Sequence, residues 1–334
     1  MGPTARFARM RLLLHAGTHK TGTSTIQRVL HGHRDGLAEI GLRYPDPAPW
    51  FGDTYLAHHP VVHAVARRDA GELARARDFL VAARDAAGDH DTVLLSAEPV
   101  YRHVLAGHQG RWWRRHRAFL QALASELDDL GFEVEVVLVF RRRDAFIESI
   151  YHERVAHGFG EPFEAMLGNA DRLLDYDRQL KQFGETFPTV TALRYEDLAG
   201  PDLTPAFVRA LGFEPPALDR AEWERRSTDA RLSLWMASAY AEDPDEELVT
   251  QRRRFGKNPV SDELFDDFGR VTLWADPAAR RELLDRYGDH DPVTDDRPVA
   301  HLTPEVERRI DEAFDRYLEA KGLTPTGRAA RRPA

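Results

Sequence analysis

The sequence has no cysteine among its 334 residues, so it forms no disulfide bond and offers no thiolate ligand to a metal ion. No apolar run approaches the roughly 20 residues that a membrane-spanning helix needs. A net positive charge is also missing, since the formal charge is −9, and this argues against a general nucleic-acid-binding surface. Too few apolar residues follow the arginines of the first ten positions for a secretory signal. These absences predict a soluble cytoplasmic protein that binds neither nucleic acid nor a metal ion.

What the sequence does contain is an alternation of apolar, β-branched runs with helical patterns. The runs at 12–14, 92–96, 134–140 and 190–195 predict buried strands, and helical patterns occupy 71–87, 112–130, 144–157 and 172–183. This alternation predicts an α/β fold, with a central, mainly parallel sheet flanked by helices in a three-layer sandwich. In such sheets ligands bind beyond the carboxyl ends of the strands.

Strand patterns stop near residue 203, and a helical C-terminal part follows, with an amphipathic stripe over 305–320. We expect one domain over residues 10–322, with its α/β core at about 10–200, its helical subregion at about 201–322 and a disordered tail at 323–334. The segment 42–60 is rich in proline and aromatic residues and has no periodicity, so it predicts a long functional loop or lid.

The most informative segment is Gly-Thr-His-Lys-Thr-Gly-Thr-Ser-Thr at residues 17–25, between the first strand pattern and a helical pattern. A glycine turn from strand to helix aims backbone N–H groups and a positive helix end at an anion. Nucleoside-triphosphatase loops carry a lysine directly after the second glycine. Here Thr23 follows Gly22 and the lysine is Lys20, which indicates a phosphate-like ligand bound without Mg-triphosphate chemistry. The alternative is an ordinary helix start capped by Thr23 or Ser24.

Residues 15–27 resemble the 5′-phosphosulfate loop of the sulfotransferases that use 3′-phosphoadenosine 5′-phosphosulfate (PAPS). In that family a Lys-x-Gly-Thr-[Ser/Thr] core wraps the sulfate and 5′-phosphate of the donor. The resemblance implies a P-loop-like fold of a bacterial-type member and stabilisation of the leaving phosphate by Lys20. It implies donor binding by His19, Lys20, Thr21, Gly22, Thr23, Ser24 and Thr25.

A second anion site is indicated after the strand pattern 134–140, where three arginines occupy positions 141–143. Ser149 follows Arg141 by eight residues, on a helix that we expect to begin near Asp144. An arginine fork with a hydroxyl suits a phosphate monoester, although an arginine-rich loop is also compatible with solvated charges. The arrangement resembles the 3′-phosphate motif of the sulfotransferases, which implies that Arg141 and Ser149 bind the 3′-phosphate of PAPS. It departs from the family in having arginines at 142–143, where Asn-Pro is frequent.

Transfer of a sulfuryl group to an acceptor requires a general base, and the family uses either a glutamate or a histidine. Glu98 follows the predicted strand 92–96 and is therefore the first candidate. His59, together with His58, is the second candidate, and the alternative for this pair is a helix N-terminus at Pro60.

The sequence as a whole predicts a PAPS-dependent sulfotransferase. We expect its acceptor to be a hydroxyl, or an amine, of a carbohydrate, a glycolipid or a small natural product. Two alternatives stay open: a kinase that uses Mg-ATP, and a non-catalytic nucleotide-binding module. The basic run 252–257 is a weaker candidate for closing over the 3′-phosphate, and 288–291 contains His and Asp residues without a complete ligand set for a metal. Neither the acceptor nor the oligomeric state is defined by any residue.

Overall fold

The computed structural model describes residues 9–88, 90–168, 170–218, 229–242, 245–256, 258, 261, 264–265, 271–289 and 297–323. The chain divides into two compact units, the first formed by residues 1–142 and 175–224, and the second by 143–174 and 225–334. Residues 143–174 therefore group with the C-terminal part of the chain, whereas the sequence placed them in the α/β core. A single domain over 10–322 stays a prediction, and 324–334 lie outside the described residues.

Five parallel strands form the sheet of the first unit, in the order β2-β3-β1-β4-β5. Their bounds are β1 Met10–His15, β2 Leu42–Arg43, β3 Thr92–Ser96, β4 Phe132–Phe140 and β5 Thr189–Arg194. The parallel α/β sheet and its four predicted strands are confirmed. β2 was not predicted, because a strand of two residues is too short to show a period. The central strand β1 pairs with β3 through His15↔Ser96 and with β4 through His15↔Val137.

Helices cover both faces of this sheet and make up most of the described part of the second unit. In chain order they are α1 Thr23–Gly32, α2 Arg34–Glu39, α3 Ala48–Phe51, α4 His59–Arg67, α5 Ala70–Asp85, a 3-10 helix Glu98–Tyr101, α6 Trp112–Asp129, α7 Arg143–Val155, α8 Phe163–Leu167, α9 Asp171–Leu174, α10 Tyr176–Gly184, α11 Tyr195–Leu198, α12 Leu203–Ala210, α13 Ala230–Glu242, α14 Glu246–Phe255, α15 Pro277–Arg286 and α16 Pro304–Ala320.

The first unit has three layers because side chains alternate along its strands. Leu12 and Leu14 of β1 pack into one buried cluster with residues of α4, α5, α6 and α10. Leu13 points to the opposite face and packs with residues of α1, α2 and α12. The predicted three-layer arrangement is therefore confirmed.

Two local predictions were partly wrong. The segment 42–60 contains β2, α3 and the start of α4, and Tyr44 within it is buried, donating its hydroxyl hydrogen to the Leu56 carbonyl at 2.9 Å. The helix predicted over 172–183 is two helices, α9 and α10. It breaks at Asp175, whose side chain caps α10 by accepting from the backbone N–H of Arg178.

The regular secondary structure described in the second unit is helical, apart from an isolated parallel bridge between Thr272 and Val299. Its core contains an aromatic cluster of Trp235, Phe255 and Phe314. The amphipathic stripe predicted for α16 is confirmed, since Val306, Ile310, Phe314 and Leu318 are all buried. Within the described parts of both units, no helix has the length and apolar character needed to cross a membrane.

The order of the strands indicates at which edge of the sheet a ligand is expected to bind. β1 continues into α1 and α2 on one face, whereas its neighbour β3 leads to α6 on the opposite face. Neighbouring parallel strands whose connections diverge in this way leave a space beyond their carboxyl ends. The residues that follow β1, β3 and β4 are those in which the sequence predicted function.

Candidate functional site

Residues 16–22, here called the glycine loop, join β1 to α1 and are anchored to β4. The Ala16 N–H donates to the Val137 carbonyl at 2.9 Å. The Thr18 hydroxyl donates to the Val139 carbonyl at 2.6 Å, and the Thr21 hydroxyl donates to the Thr18 carbonyl, also at 2.6 Å. The hydroxyls of Thr18 and Thr21 therefore hold the loop in place against β4 and against itself.

Two residues of the glycine loop adopt left-handed backbone conformations. Lys20 has φ of 66° and Gly22 has φ of 69°. Among the described non-glycine residues only Lys20 and Arg68 have positive φ. This conformation costs a non-glycine residue about 1–2 kcal/mol, and such strain concentrates at functional sites. The Lys20 carbonyl is held by a hydrogen bond from Nη1 of Arg141 at 3.0 Å.

Helix α1 begins in a way that favours an anion. Gly22 is its N-cap, no side chain caps it among the described residues, and its first turn contains no acidic residue. The first backbone N–H groups of any helix lack intrahelical partners and carry a partial positive charge. The alternative of an ordinary cap formed by Thr23 or Ser24 is therefore wrong. Thr23 is instead buried with its hydroxyl 3.2 Å from that of Thr21, and Ser24 is exposed.

Gly17 lies too close to its neighbours to carry a side chain. A Cβ atom at this position would lie 2.8 Å from Nε2 of His15 and 3.2 Å from Oγ1 of Thr23. His15 is fully buried and its Nδ1 lies 3.0 Å from Oγ of Ser96, so its ring has little room to move away. The first glycine of the motif is thus explained by close packing of the loop against His15.

Arg141 follows β4 and lies at the same edge of the sheet as the glycine loop. Besides its bond to Lys20, its guanidinium lies 5.2 Å from the ring centroid of Tyr195, in cation–π geometry. Tyr195 begins α11, directly after β5. Ser149 is 4% exposed on α7 of the second unit. Its pairing with Arg141 stays a prediction.

The other two arginines of segment 141–143 have different contacts. The backbone N–H of Arg142 donates to Oε1 of Glu196 at 2.8 Å. Arg143 is buried in the second unit, where it pairs with Asp289 at 2.5 Å and donates to the Leu174 carbonyl at 2.7 Å. The guanidinium groups of Arg141 and Arg143 are therefore not merely solvated.

Asp144 lies inside α7 instead of ahead of it, fully buried and hydrogen-bonded to Nε of Arg280 at 2.7 Å. The sequence suggested only a role at the helix start. No sequence signal links Asp144 to Arg280, because the two residues are 136 positions apart.

Glu98 begins the 3-10 helix that follows β3, and its carboxylate contacts the glycine loop directly. Its Oε1 pairs with Nδ1 of His19, and the two side chains are 16% and 8% exposed. Burial opposes ionisation of this carboxyl, but the hydrogen bond and charge of His19, with the charges of His59 and Arg102, outweigh burial and lower the pKa of Glu98. Glu98 is therefore a carboxylate at neutral pH and able to accept a proton.

The His58 ring forms hydrogen bonds with two backbone groups of the first unit. Its Nδ1 accepts from the Ser96 backbone N–H, and its Nε2 lies 2.9 Å from the Pro45 carbonyl, to which it donates. Both ring nitrogens are thus occupied, and the ring is fully buried. Burial lowers the pKa of His58 to about 4, so the ring is neutral at pH 7.

His59 begins α4 and lies half-buried near Glu98. Helix α4 has Pro60 in its first turn, so the helix start proposed for this pair is present. The Nε2 of His59 lies 3.3 Å from Nε2 of Gln27, whose amide also donates to Oγ of Ser96 at 3.0 Å. Burial lowers the pKa of His59 to about 4. Sequence reasoning missed this network, although Gln27 lies within the motif, because a buried glutamine has no distinctive spacing.

No catalytic or donor-binding role predicted above is tested by geometry alone, and these assignments stay predictions. Among the described residues, no group of His, Asp and Glu side chains has the arrangement of a metal site. Lys257 of the basic run, and His290 and Asp291 of the 288–291 segment, lie outside those residues.

No protein-family model matches the chain, and no curated protein shows significant similarity to it.

Proposed function

We propose that this protein is a PAPS-dependent sulfotransferase that moves a sulfuryl group to a hydroxyl, or an amine, of a carbohydrate, a glycolipid or a small natural product. The observation that carries the proposal is the glycine loop. Three features meet there at one edge of a parallel sheet. They are Lys20 with its left-handed backbone conformation, the N-terminus of α1, which no described side chain caps, and Arg141, which follows β4.

The chemistry of these groups favours a phosphosulfate donor over a magnesium triphosphate. Lys20 lies before Gly22 instead of after it, and the strand end at β4 carries Arg141 where a metal-binding aspartate would serve a triphosphatase. A guanidinium binds a phosphate monoester through paired hydrogen bonds, which suits the 3′-phosphate that distinguishes PAPS from ATP. The backbone N–H groups at the start of α1 would bind the 5′-phosphosulfate.

In the proposed reaction the bond between the donor sulfur and its bridging phosphate oxygen breaks, while a bond forms from sulfur to the acceptor oxygen. The acceptor proton passes to Glu98, which is ionised and lies beside the loop. Negative charge grows on the leaving 5′-phosphate, where Lys20 and the backbone N–H groups stabilise it. His59, the second candidate for the base, would lie close to the same acceptor.

The Arg141→Ala variant tests the donor assignment. We expect it to weaken binding of adenosine 3′,5′-bisphosphate, the product of PAPS, by about 10- to 100-fold, the effect of losing a charged hydrogen bond. Binding of adenosine 5′-phosphate should change much less, because this ligand lacks the 3′-phosphate. Calorimetric titration in EDTA measures both affinities, and Arg75→Ala, an exposed position on α5, is the matched control.

Equal losses of affinity for the two nucleotides would show that Arg141 does not bind the 3′-phosphate. Failure of the wild-type protein to bind adenosine 3′,5′-bisphosphate would remove the sulfotransferase proposal altogether. Binding of ATP only when magnesium is present would favour the kinase alternative.

A further inference from the structure

The contact between His19 and Glu98 joins the glycine loop to the segment after β3. An ionised carboxylate only accepts hydrogen bonds, so Nδ1 of His19 carries the proton between them. The His19 ring is also held from the side by Tyr101, with ring centroids 5.5 Å apart and planes at 72°. His19 therefore occupies a fixed place in which one nitrogen faces Glu98.

The other nitrogen of His19 has a different environment. Its Nε2 is buried and forms no hydrogen bond with any described residue. Among the described residues, the polar contact of this ring is thus the one that Nδ1 makes with Glu98. If His19 served mainly to bind PAPS, its Nε2 would need to reach the phosphate or the sulfate of that molecule.

We propose that His19 is a positioning residue for Glu98: from the glycine loop, its Nδ1–H holds the carboxylate in the place where it takes the acceptor proton. The inference rests on the proposed function for that final step. It changes the role of His19, which the family resemblance assigned to donor binding, and it makes the catalytic base depend on the conformation of the loop that binds the donor.

Four charged or titratable groups face Glu98 from the surrounding elements: His15 from β1, His19 from the loop, His59 from α4 and Arg102 after the 3-10 helix. Among the groups that favour the ionised carboxylate, His19 has the largest effect, through its hydrogen bond and then its charge. Burial acts in the opposite direction. Burial raises the pKa of Glu98 and His19 lowers it, so removing His19 should raise this pKa.

The test measures the titration of the Glu98 carboxyl by NMR, in full-length protein labelled with ¹³C at the glutamate carboxyl carbon. The Glu98→Gln variant identifies the signal. We expect the pKa of Glu98 to rise most in His19→Ala. It should rise less in His19→Asn, whose amide can still donate a hydrogen bond near the position of Nδ1. It should also rise less in His59→Gln than in His19→Ala. In His157→Ala, an exposed histidine of the second unit, it should match that of the wild type.

Affinity for adenosine 3′,5′-bisphosphate, measured on the same variants, separates the two roles of His19. We expect His19→Asn to bind within about threefold of the wild type. If His19→Asn loses nucleotide affinity by tenfold or more while its Glu98 pKa matches that of the wild type, His19 binds the nucleotide and the inference is overturned. An unchanged Glu98 pKa in His19→Ala would also overturn it. If the wild type does not bind this nucleotide, the proposed function fails, while the carboxyl titration still reports whether His19 controls Glu98.

Discussion

At the scale of single residues, His58 is a buried group whose protonation affects stability. Its ring is neutral in the folded protein, and its pKa is about 4 compared with an ordinary value of 6.5. The unfolded chain therefore binds more protons between these two values. The stabilisation that His58 provides is complete above pH 6.5 and is lost as the pH falls through about 4.

Replacing His58 by leucine tests this account. At pH 7 we expect a loss of several kcal/mol, because the Ser96 N–H and the Pro45 carbonyl lose their buried partner. Between pH 7 and pH 5 the difference in unfolding free energy between wild type and variant should narrow by about 2 kcal/mol. The wild type loses this stability because its unfolded chain protonates His58 in this range, whereas its folded state does not. The variant has no histidine at this position. Denaturant titrations at the two pH values measure it. A constant difference would contradict the account, and His157→Leu is the exposed control.

The positions of candidate site residues were predictable from the sequence where these residues followed a strand end or belonged to a motif. Glu98 and Arg141 were found in this way, and both lie at the edge of the sheet next to the glycine loop. The roles of His58 and Asp144 were not predictable, because their partners come from distant parts of the chain. His19 was identified as a loop residue, but its partner Glu98 could be seen only after β1 and β3 were placed side by side.

At the scale of elements, the turn from β1 to α1 depends on Gly22. Gly22 is left-handed, and a Cβ atom there would lie 2.5 Å from Cδ2 of Leu203 on α12. We expect Gly22→Ala to destabilise the protein by about 1–3 kcal/mol through backbone strain and this contact. It should also weaken binding of adenosine 3′,5′-bisphosphate, because the first N–H groups of α1 move.

Gly32, at the other end of the same helix, provides the matched control. A Cβ atom there meets no other atom within 4 Å. Gly32→Ala should therefore leave stability unchanged or raise it by up to about 1 kcal/mol, with no effect on nucleotide affinity. Thermal unfolding and calorimetry compare the pair. Equal behaviour of the two variants would mean that the β1–α1 turn tolerates a side chain and has no special geometry.

Elements were predictable in proportion to their length and period. Long apolar runs and the amphipathic stripe of α16 led to correct strands and helices. The two-residue β2, the four-residue α3 and the break between α9 and α10 have too few residues to show a period. Each is determined by tertiary contacts or by one capping side chain.

At the scale of the whole molecule, the chain order of the strands determines where the site lies. β1, β3 and β4 are neighbours in the sheet although they are distant in sequence, so the glycine loop, Glu98 and Arg141 follow adjacent strand ends. The sequence predicted a parallel sheet and a site at its carboxyl edge, but not the strand order. It also did not indicate that residues 143–174 group with the C-terminal part, since helical periodicity does not show which core a helix joins.

Thermal unfolding in the presence of nucleotides tests the central claim most directly. Adenosine 3′,5′-bisphosphate in EDTA, at about 100 times its dissociation constant, should stabilise the protein by about 2.7 kcal/mol and visibly raise the midpoint. ATP with magnesium should raise it far less, because ATP lacks the 3′-phosphate that we assign to Arg141. A midpoint that rises with Mg-ATP and not with the bisphosphate would contradict the sulfotransferase account.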